Sequence, residues 1–425
     1  MKRIKKVLFS RLGLAGVIVA VELALILTLL LRLSSYSVYF FIFLVALNII
    51  SLFAVINDTG NPEYKLTWMG VILLVPFLGV VMWMLFKRHN MTPREVSVIV
   101  EVVDELLPSK GEGAIEPLKN ESPLAYGKAL SLLSIDNMAE VYRGTVSTYF
   151  ETGREMYESM LADIDGAREF IFLEYFIIAP GVMWSGILEK LKEKVKSGVE
   201  VRVMYDDVGS MGKLPRGYAS ELKAWGIEVK CFARVSADIR NMRRNNSRDH
   251  RKLFIVDGRV AYTGGINVAD EYIGEEKPYG EWKDGGIRLS GDAAVGLTRL
   301  FLELWGLASH GREDTAKYLK KDIGSYSDGG YYIPFGSGPN PMYRGRTGKR
   351  AFLDIINQTQ RYVYIMSPYI IIDYDLTEAL VGAVSRGVDV RILAPSVKTP
   401  SKSKQTIFIS LIISSPCELY IFFYA

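Results

Sequence analysis

The sequence predicts an α/β body behind an N-terminal membrane anchor, and three observations lead to it. Apolar residues concentrate in the first 86 of 425 positions, in runs at 12–31, 37–56 and 66–86. Each run is about the 20 residues that a helix needs to cross the hydrocarbon core of a bilayer. Further on, "REFIFLEYFII" (168–178), "SGILEKLKEKVKSG" (185–198) and "VEVRVMYDD" (199–207) read as a buried strand, an amphipathic helix and a second strand. That order predicts parallel pairing through a right-handed crossover. The same rhythm returns in "RYVYIMSPYII" (361–371) and "EALVGAVSRGVDVRILAPS" (378–396), and aligning Gly198 with Gly387 sets an internal offset of 189 residues. The body is therefore expected to be duplicated.

The anchor is assigned to residues 1–90, with two or three transmembrane helices. "MKRIKK" also suits a cleaved signal peptide, but the first run is longer than such a signal's apolar core and two more runs follow it. Glu22 in mid-span is expected to face another helix or to be protonated. Lys2, Arg3, Lys5, Lys6 and Arg11 favour a cytoplasmic N-terminus, while Lys87, Arg88 and Arg94 favour a cytoplasmic body. Three full spans do not satisfy both: either one stretch only dips in, with the tight "RLSSY" at 32–36 favouring a helical hairpin, or one charge cluster is overruled. The expectation is a multi-pass cell-membrane protein whose body faces the cytoplasm. After the anchor come a linker and the start of the soluble body at 91–145, and a first half at 146–326. A Gly- and Pro-rich junction at 327–348, a partial second half at 349–397 and an atypical tail at 398–425 complete the chain.

Composition narrows the function. A net charge of +4 suits work near anionic lipid and does not call for a nucleic-acid partner. Cys231 and Cys417 stand far apart without a CxxC or a histidine cluster, so neither a disulfide framework nor a zinc site is expected. The oligomeric state is not legible.

The chemistry concentrates in "RDHRKLFIVDG" (248–258). In a strand, residues two apart point the same way, so His250 and Lys252 share a face and Asp257 falls at the strand's end. Downstream, "GGIN" (264–267) offers backbone without Cβ obstruction at Gly264 and Gly265 and a short amide at Asn267. An imidazole, an ammonium and an amide suit a phosphate: the first attacks phosphorus and the others hold its oxygens. Asp257 could fix the ring or pair with neighbouring cations. For a lone HxK the blander reading is a solvated basic strand.

The full pattern HxKxxxxDxxxxxxGxxN, met by His250, Lys252, Asp257, Gly264 and Asn267, resembles the signature of the phospholipase D superfamily. Residues 248–274, 282–305, "SGP" at 337–339 and "SPYIIID" at 367–373 are similar to the bacterial cardiolipin synthases, and 61–83 resembles their N-terminal membrane segment. The match runs to about Pro395. The resemblance implies mixed sheets sandwiched by helices. It also implies a reaction in which two phosphatidylglycerol molecules give cardiolipin and glycerol, with no metal or other cofactor. By that resemblance His250 attacks the phosphodiester or takes the leaving group's proton, Lys252 and Asn267 bind phosphate, and a phosphohistidine links two displacement steps. The basic stretch at 240–252, Arg251 included, could hold anionic headgroups or be a solvated loop.

Such enzymes carry two HxK signatures. The internal offset places the second near position 439, beyond the 425 residues present. His89 and His310, the other histidines, have no lysine two residues on. The tail after Lys404 lacks the strand-helix rhythm and reads as the scar of premature termination or an altered frame, or as a short membrane or core segment. Activity is accordingly expected to be impaired. A homodimer pairing two copies of His250 is a further reading. Alternatives to phosphatidyl transfer are a phospholipase D-type phosphodiesterase and a noncatalytic membrane protein that binds anionic lipid.

Overall fold

A computed structural model describes residues 24, 28, 37–58, 60–86, 93–107, 114–234, 248–278, 280–309, 314–319, 328–338, 343, 346–367, 370–395 and 420–424. The expectations for the first apolar run with Glu22, for His89 and His310, for Cys417 and for the basic loop at 235–247 lie outside those residues. The chain divides into two units, 1–90 with 236–246, and 91–235 with 247–425.

In the first unit, α1 (Ser37–Ile56) carries Val38–Ile56, the one described helix long and apolar enough to cross a membrane. The expected single span at 66–86 is instead two helices, α2 (Pro62–Leu74) and α3 (Pro76–Phe86). Pro76 has no N–H to continue the ladder and pushes Val75 out of the helical region, to φ −135 and ψ 76. Hydropathy is blind to this break because the residues on both sides of it are apolar. Asn61 starts α2, its side chain accepting the Glu63 N–H at 3.0 Å. Val55, Ile72, Val80 and Trp83 form the small core of this unit.

The second unit begins with α4 (Pro93–Leu106), α5 (Ile115–Glu121) and α6 (Pro123–Leu133). Then come β1 (Thr145–Phe150), α7 (Gly153–Gly166), β2 (Phe170–Tyr175), α8 (Val182–Lys196) and β3 (Glu200–Asp206). The short α9 (Asp207–Ser210), α10 (Tyr218–Ala224) and β4 (Glu228–Phe232) follow. β5 (Lys252–Val256), β6 (Val260–Gly264), β7 (Gly286–Gly291) and α11 (Ala293–Ser309) complete the first half. The sheet runs β1-β7-β6-β5-β2-β3-β4, parallel from β2 to β4 and antiparallel elsewhere. β2 is buried along its whole length, which is why its sequence runs apolar without alternation. One sheet face packs Leu173, Phe254 and Val203 against Met160 of α7 and Ile187 of α8. The other packs Phe172, Leu253 and Ile255 against Phe301 of α11 and Leu106 of α4.

α12 (Thr347–Gln358), β8 (Tyr362–Met366), α13 (Tyr374–Ser385), β9 (Asp389–Pro395) and β10 (Tyr420–Tyr424) form a second, all-parallel sheet in the order β10-β9-β8. The two strand-helix-strand copies end their helices alike. Gly198 and Gly387 both take left-handed φ, 89 and 82. Each next residue reaches five back: Val199 N–H to Lys194 C=O at 3.0 Å, and Val388 N–H to Ala383 C=O at 3.1 Å. The tail ends in a strand, with Tyr420 opposite Arg391 in β9. A short apolar run lacks the alternation that would separate a buried parallel strand from a membrane segment.

Candidate functional site

The approach to β5 is pinned before the strand begins. Asp206, fully buried at the end of β3, caps α9 through the Val208 N–H at 2.9 Å and accepts the Asp249 N–H at 3.0 Å. Arg248 reaches the same carboxylate at 3.4 Å. His250 and Lys252 then project on one face. Lys252 Nζ lies 3.1 Å from His250 Nδ1 and also donates to the His250 carbonyl. The imidazole is exposed, whereas Lys252 is only 4% exposed, with its ammonium 5.5 Å from the centre of the Phe176 ring. That ring lies 4.8 Å from the His250 ring. Burial pushes Lys252 down to about 8, against the opposing charges of Asp249 and Asp284. Burial, and then the Lys252 charge, hold His250 below its ordinary value, so the imidazole is neutral at pH 7.

The other residues singled out in the sequence are placed differently. Asn267 is buried, and its amide is largely committed: Oδ1 accepts the Ile177 N–H at 3.0 Å and Nδ2 donates to the Tyr272 hydroxyl at 2.7 Å. The second N–H of Nδ2 is what it can offer a phosphate. Gly264 and Gly265 serve close packing rather than an open backbone. A Cβ on Gly264 would stand 2.5 Å from the Gly285 carbonyl, and one on Gly265 2.0 Å from Asp284 Oδ1. The Gly265 N–H is already bonded to Gly285 at 3.1 Å.

Asp257 is not beside His250. It occupies the tight turn at the far end of β5, with φ 51, followed by Gly258 at φ 64. Its carboxylate accepts the backbone N–H groups of Arg168 (2.9 Å), Glu169 (2.7 Å) and Phe170 (2.9 Å), which fastens the start of β2. The expected role against the ring or a cation is corrected to a structural one, because a strand of five residues separates the two ends.

Arg251 likewise departs from the expected headgroup contact. It lies one residue out of phase with His250 and Lys252 and turns to the other face. There Nε meets Glu174 Oε1 at 2.6 Å and Nη1 meets Glu303 Oε2 at 3.3 Å, with Asp249 at 3.6 Å. All three carboxyls are buried. Burial raises all three, Glu174 well above its usual range and Glu303 to about 7. For Glu174 the nearby Asp249 charge adds to the rise and Arg251 opposes it. The Tyr343 hydroxyl donates to Glu303 at 2.6 Å. Among the described residues no group of His, Cys, Asp and Glu is arranged to hold a metal ion.

Beside the motif opens a cavity of about 350 Å³ whose lining includes Arg251, Leu253, Gly264, Leu297, Leu300 and Phe335.

The family described as "Cardiolipin synthase, PLD-like domain" matches residues 160–277 and 352–424, and "Phospholipase D-nuclease N-terminal" matches 46–88. The cardiolipin synthase of Oceanobacillus iheyensis is 32% identical over 348 residues, covering 80% of this chain and 71% of that protein. The chain belongs to the cardiolipin synthase family. An uncharacterized protein of Streptococcus mutans is 35% identical over 357 residues, 82% of this chain and 74% of that one. Among solved structures, the phosphatidylserine synthase of Haemophilus influenzae aligns with a TM-score of 0.45 at 13% identity, over 65% of this chain and 74% of that one.

The family's domain match runs to residue 424, past the limit near Pro395 drawn from the sequence. In this cardiolipin synthase-family chain, sequence reading passed over five residues of the site. Asp284 opposes the Lys252 charge from the segment before β7, and its own carboxyl is raised by burial. Phe176 packs on the imidazole. Glu174, Glu303 and Tyr343 hold the strand from behind through Arg251. The "WKDGG" run at 282–286 carried a signal for the first, a carboxylate just ahead of paired glycines; the others carry no local pattern.

Proposed function

We propose that this chain transfers a phosphatidyl group from one phosphatidylglycerol to another, releasing glycerol, with His250 carrying the phosphoryl group between the two steps. The observation that carries the reading is the neutral imidazole 3.1 Å from a buried ammonium. An imidazole lone pair attacks phosphorus as the bond to the glycerol oxygen breaks, and that oxygen takes a proton from solvent. The hydroxyl of a second phosphatidylglycerol then attacks the same phosphorus, losing its proton as the P–N bond breaks, and cardiolipin leaves. Lys252 and the remaining Asn267 N–H hold the nonbridging oxygens, and Asp284 keeps the ammonium oriented. Phe176 limits water at the ring. The helices before residue 90 act as the membrane anchor, with α1 as a span and the body on the cytoplasmic side. Residues 146–326 and 349–424 act as the two halves of the body.

Purified full-length chain in detergent, given labelled phosphatidylglycerol, is expected to form cardiolipin, and His250→Gln is expected to abolish it. Cardiolipin formed equally by the variant would overturn the reading. Phosphatidic acid in place of cardiolipin would make water the acceptor, and retained lipid without product would leave a binding protein.

A further inference from the structure

We propose that the rim of the His250 site on the β3 side, from Val208 in α9 to Arg216 in the coil after it, is a docking surface that seats on an anionic bilayer when a lipid phosphate meets the imidazole. The choice of a lipid surface rests on the phosphatidyl-transfer reading. α9 is built onto the site. Asp206 Oδ1 accepts the Val208 and Gly209 N–H groups at 2.9 and 3.1 Å, and its Oδ2 accepts the Asp249 N–H at 3.0 Å, one residue before the imidazole. Ser210 Oγ accepts the Ile178 N–H at 3.2 Å and donates to the Phe176 carbonyl at 3.4 Å. A Cβ on Gly209 would stand 2.1 Å from that carbonyl. α9 therefore lies directly on the segment whose Phe176 ring packs 4.8 Å from the His250 ring.

The outer side of this rim is left uncovered. Val208 and Met211 are 41% and 56% exposed. Lys213 and Arg216 are exposed beside them, and no carboxylate occurs from 208 to 217. Lys213 meets Glu271 at 3.1 Å, and of this pair the cation is the more exposed, 37% against 15%. A single exposed apolar side chain is ordinary. Two of them interleaved with two cations in one short segment suit a bilayer interface, where apolar groups enter the acyl boundary and cations meet the phosphates. The position supplies the reason. A lipid's chains hold its phosphate at that interface, so an imidazole reaches it only if the side chains around it enter the interface too. The seating is one-sided. Across the site stand exposed Glu275, Glu276 and Glu281, with Glu275 paired to Arg154 of α7, the helix that packs beside β1 and β7. An anionic surface repels those carboxylates and attracts Lys213 and Arg216.

Each cation near such a surface is worth about fivefold in affinity, and burying the exposed part of Met211 about tenfold. The test places the full-length protein in vesicles of phosphatidylcholine with a minority of phosphatidylglycerol and reads tryptophan emission with brominated phosphatidylcholine as quencher. Met211→Trp should add to the wild-type signal an emission that the brominated lipid quenches. Val208→Trp serves if that variant fails to fold. Lys196→Trp is the reference: it lies at the far end of α8, about 20 Å along the helix from the site, and its added emission should escape quenching. Lys213→Glu with Arg216→Glu should weaken docking about a hundredfold and bring the emission at position 211 to the level of the reference. Vesicles of phosphatidylcholine alone should do the same. An emission at 211 quenched no more than at 196, or quenched equally with the charges reversed, would overturn the surface. The readout needs no turnover, so the two readings fail separately. Quenching at 211 without cardiolipin keeps the surface and removes phosphatidyl transfer; cardiolipin formed while position 211 stays in water does the opposite.

Discussion

Replacing Arg251 with methionine removes a guanidinium from among three buried carboxyls while keeping much of its apolar stem. Removing one partner of a buried pair costs about 3–5 kcal/mol. Arg251 keeps 21% of its side chain exposed, which favours the lower end, about 3 kcal/mol. For a unit of this size, at about 2.1 cal/mol/K of unfolding entropy per residue, each kcal/mol moves the midpoint by about 1.5 °C, so thermal unfolding of the protein in detergent should drop by about 4–5 °C at neutral pH. The deficit should shrink as the pH falls towards 5. Glu174, Asp249 and Glu303 all have raised values, and once protonated they need no cation. A methionine variant as stable as wild type at neutral pH, or one equally destabilised at both pH values, would refute the argument. Loss of lipid affinity at unchanged stability would instead return Arg251 to the substrate.

Three further outcomes are expected. Glu303 is fully buried with a folded value near 7 against an ordinary 4.5, so the folded state binds the extra proton; the stability this confers is present below about 4.5 and lost as the pH rises through 7, by up to about 3 kcal/mol. Glu303→Gln should flatten that slope in unfolding curves recorded between those pH values. Lys252 carries its charge below about 8, so the affinity for phosphatidylglycerol should fall as the pH rises through that value, and Lys252→Gln should remove the inflection along with at least tenfold in affinity. Asp257→Gly tolerates the left-handed backbone but loses three acceptor contacts, and should lower stability by about 2–4 kcal/mol while turnover per folded molecule stays within about twofold; an unchanged midpoint with tenfold slower turnover would restore a chemical role to Asp257.

The motif shows where reading ahead of the structure works. His250 and Lys252 are two apart on a strand, and the pleat alone decides that they share a face. The same rule places Arg251 opposite, yet its charge suggested a headgroup contact, because nothing local announces Glu174 or Glu303. Asp257 belongs to the same signature as His250, and only the turn at Asp257-Gly258 and the three amides at Arg168 to Phe170 reveal its role. The break at Pro76 was written in the sequence, but a scale of apolarity averages across it.

What the sequence determined by itself are the features set by neighbours a few residues away. These are the apolar run of α1, the two strand-helix-strand copies with their aligned glycines, and the paired imidazole and ammonium. Tertiary structure decided what depends on partners far along the chain. Arg251 meets Glu303 across 52 residues, Asp257 holds amides 87 to 89 residues before it, and Arg251 and Tyr343 bond the same Glu303 carboxyl. A periodicity is a short-range property of the backbone, and it survives in any window of sequence. Burial, which raises the carboxyls, lowers Lys252 and leaves a cavity beside His250, exists only once distant segments have packed together.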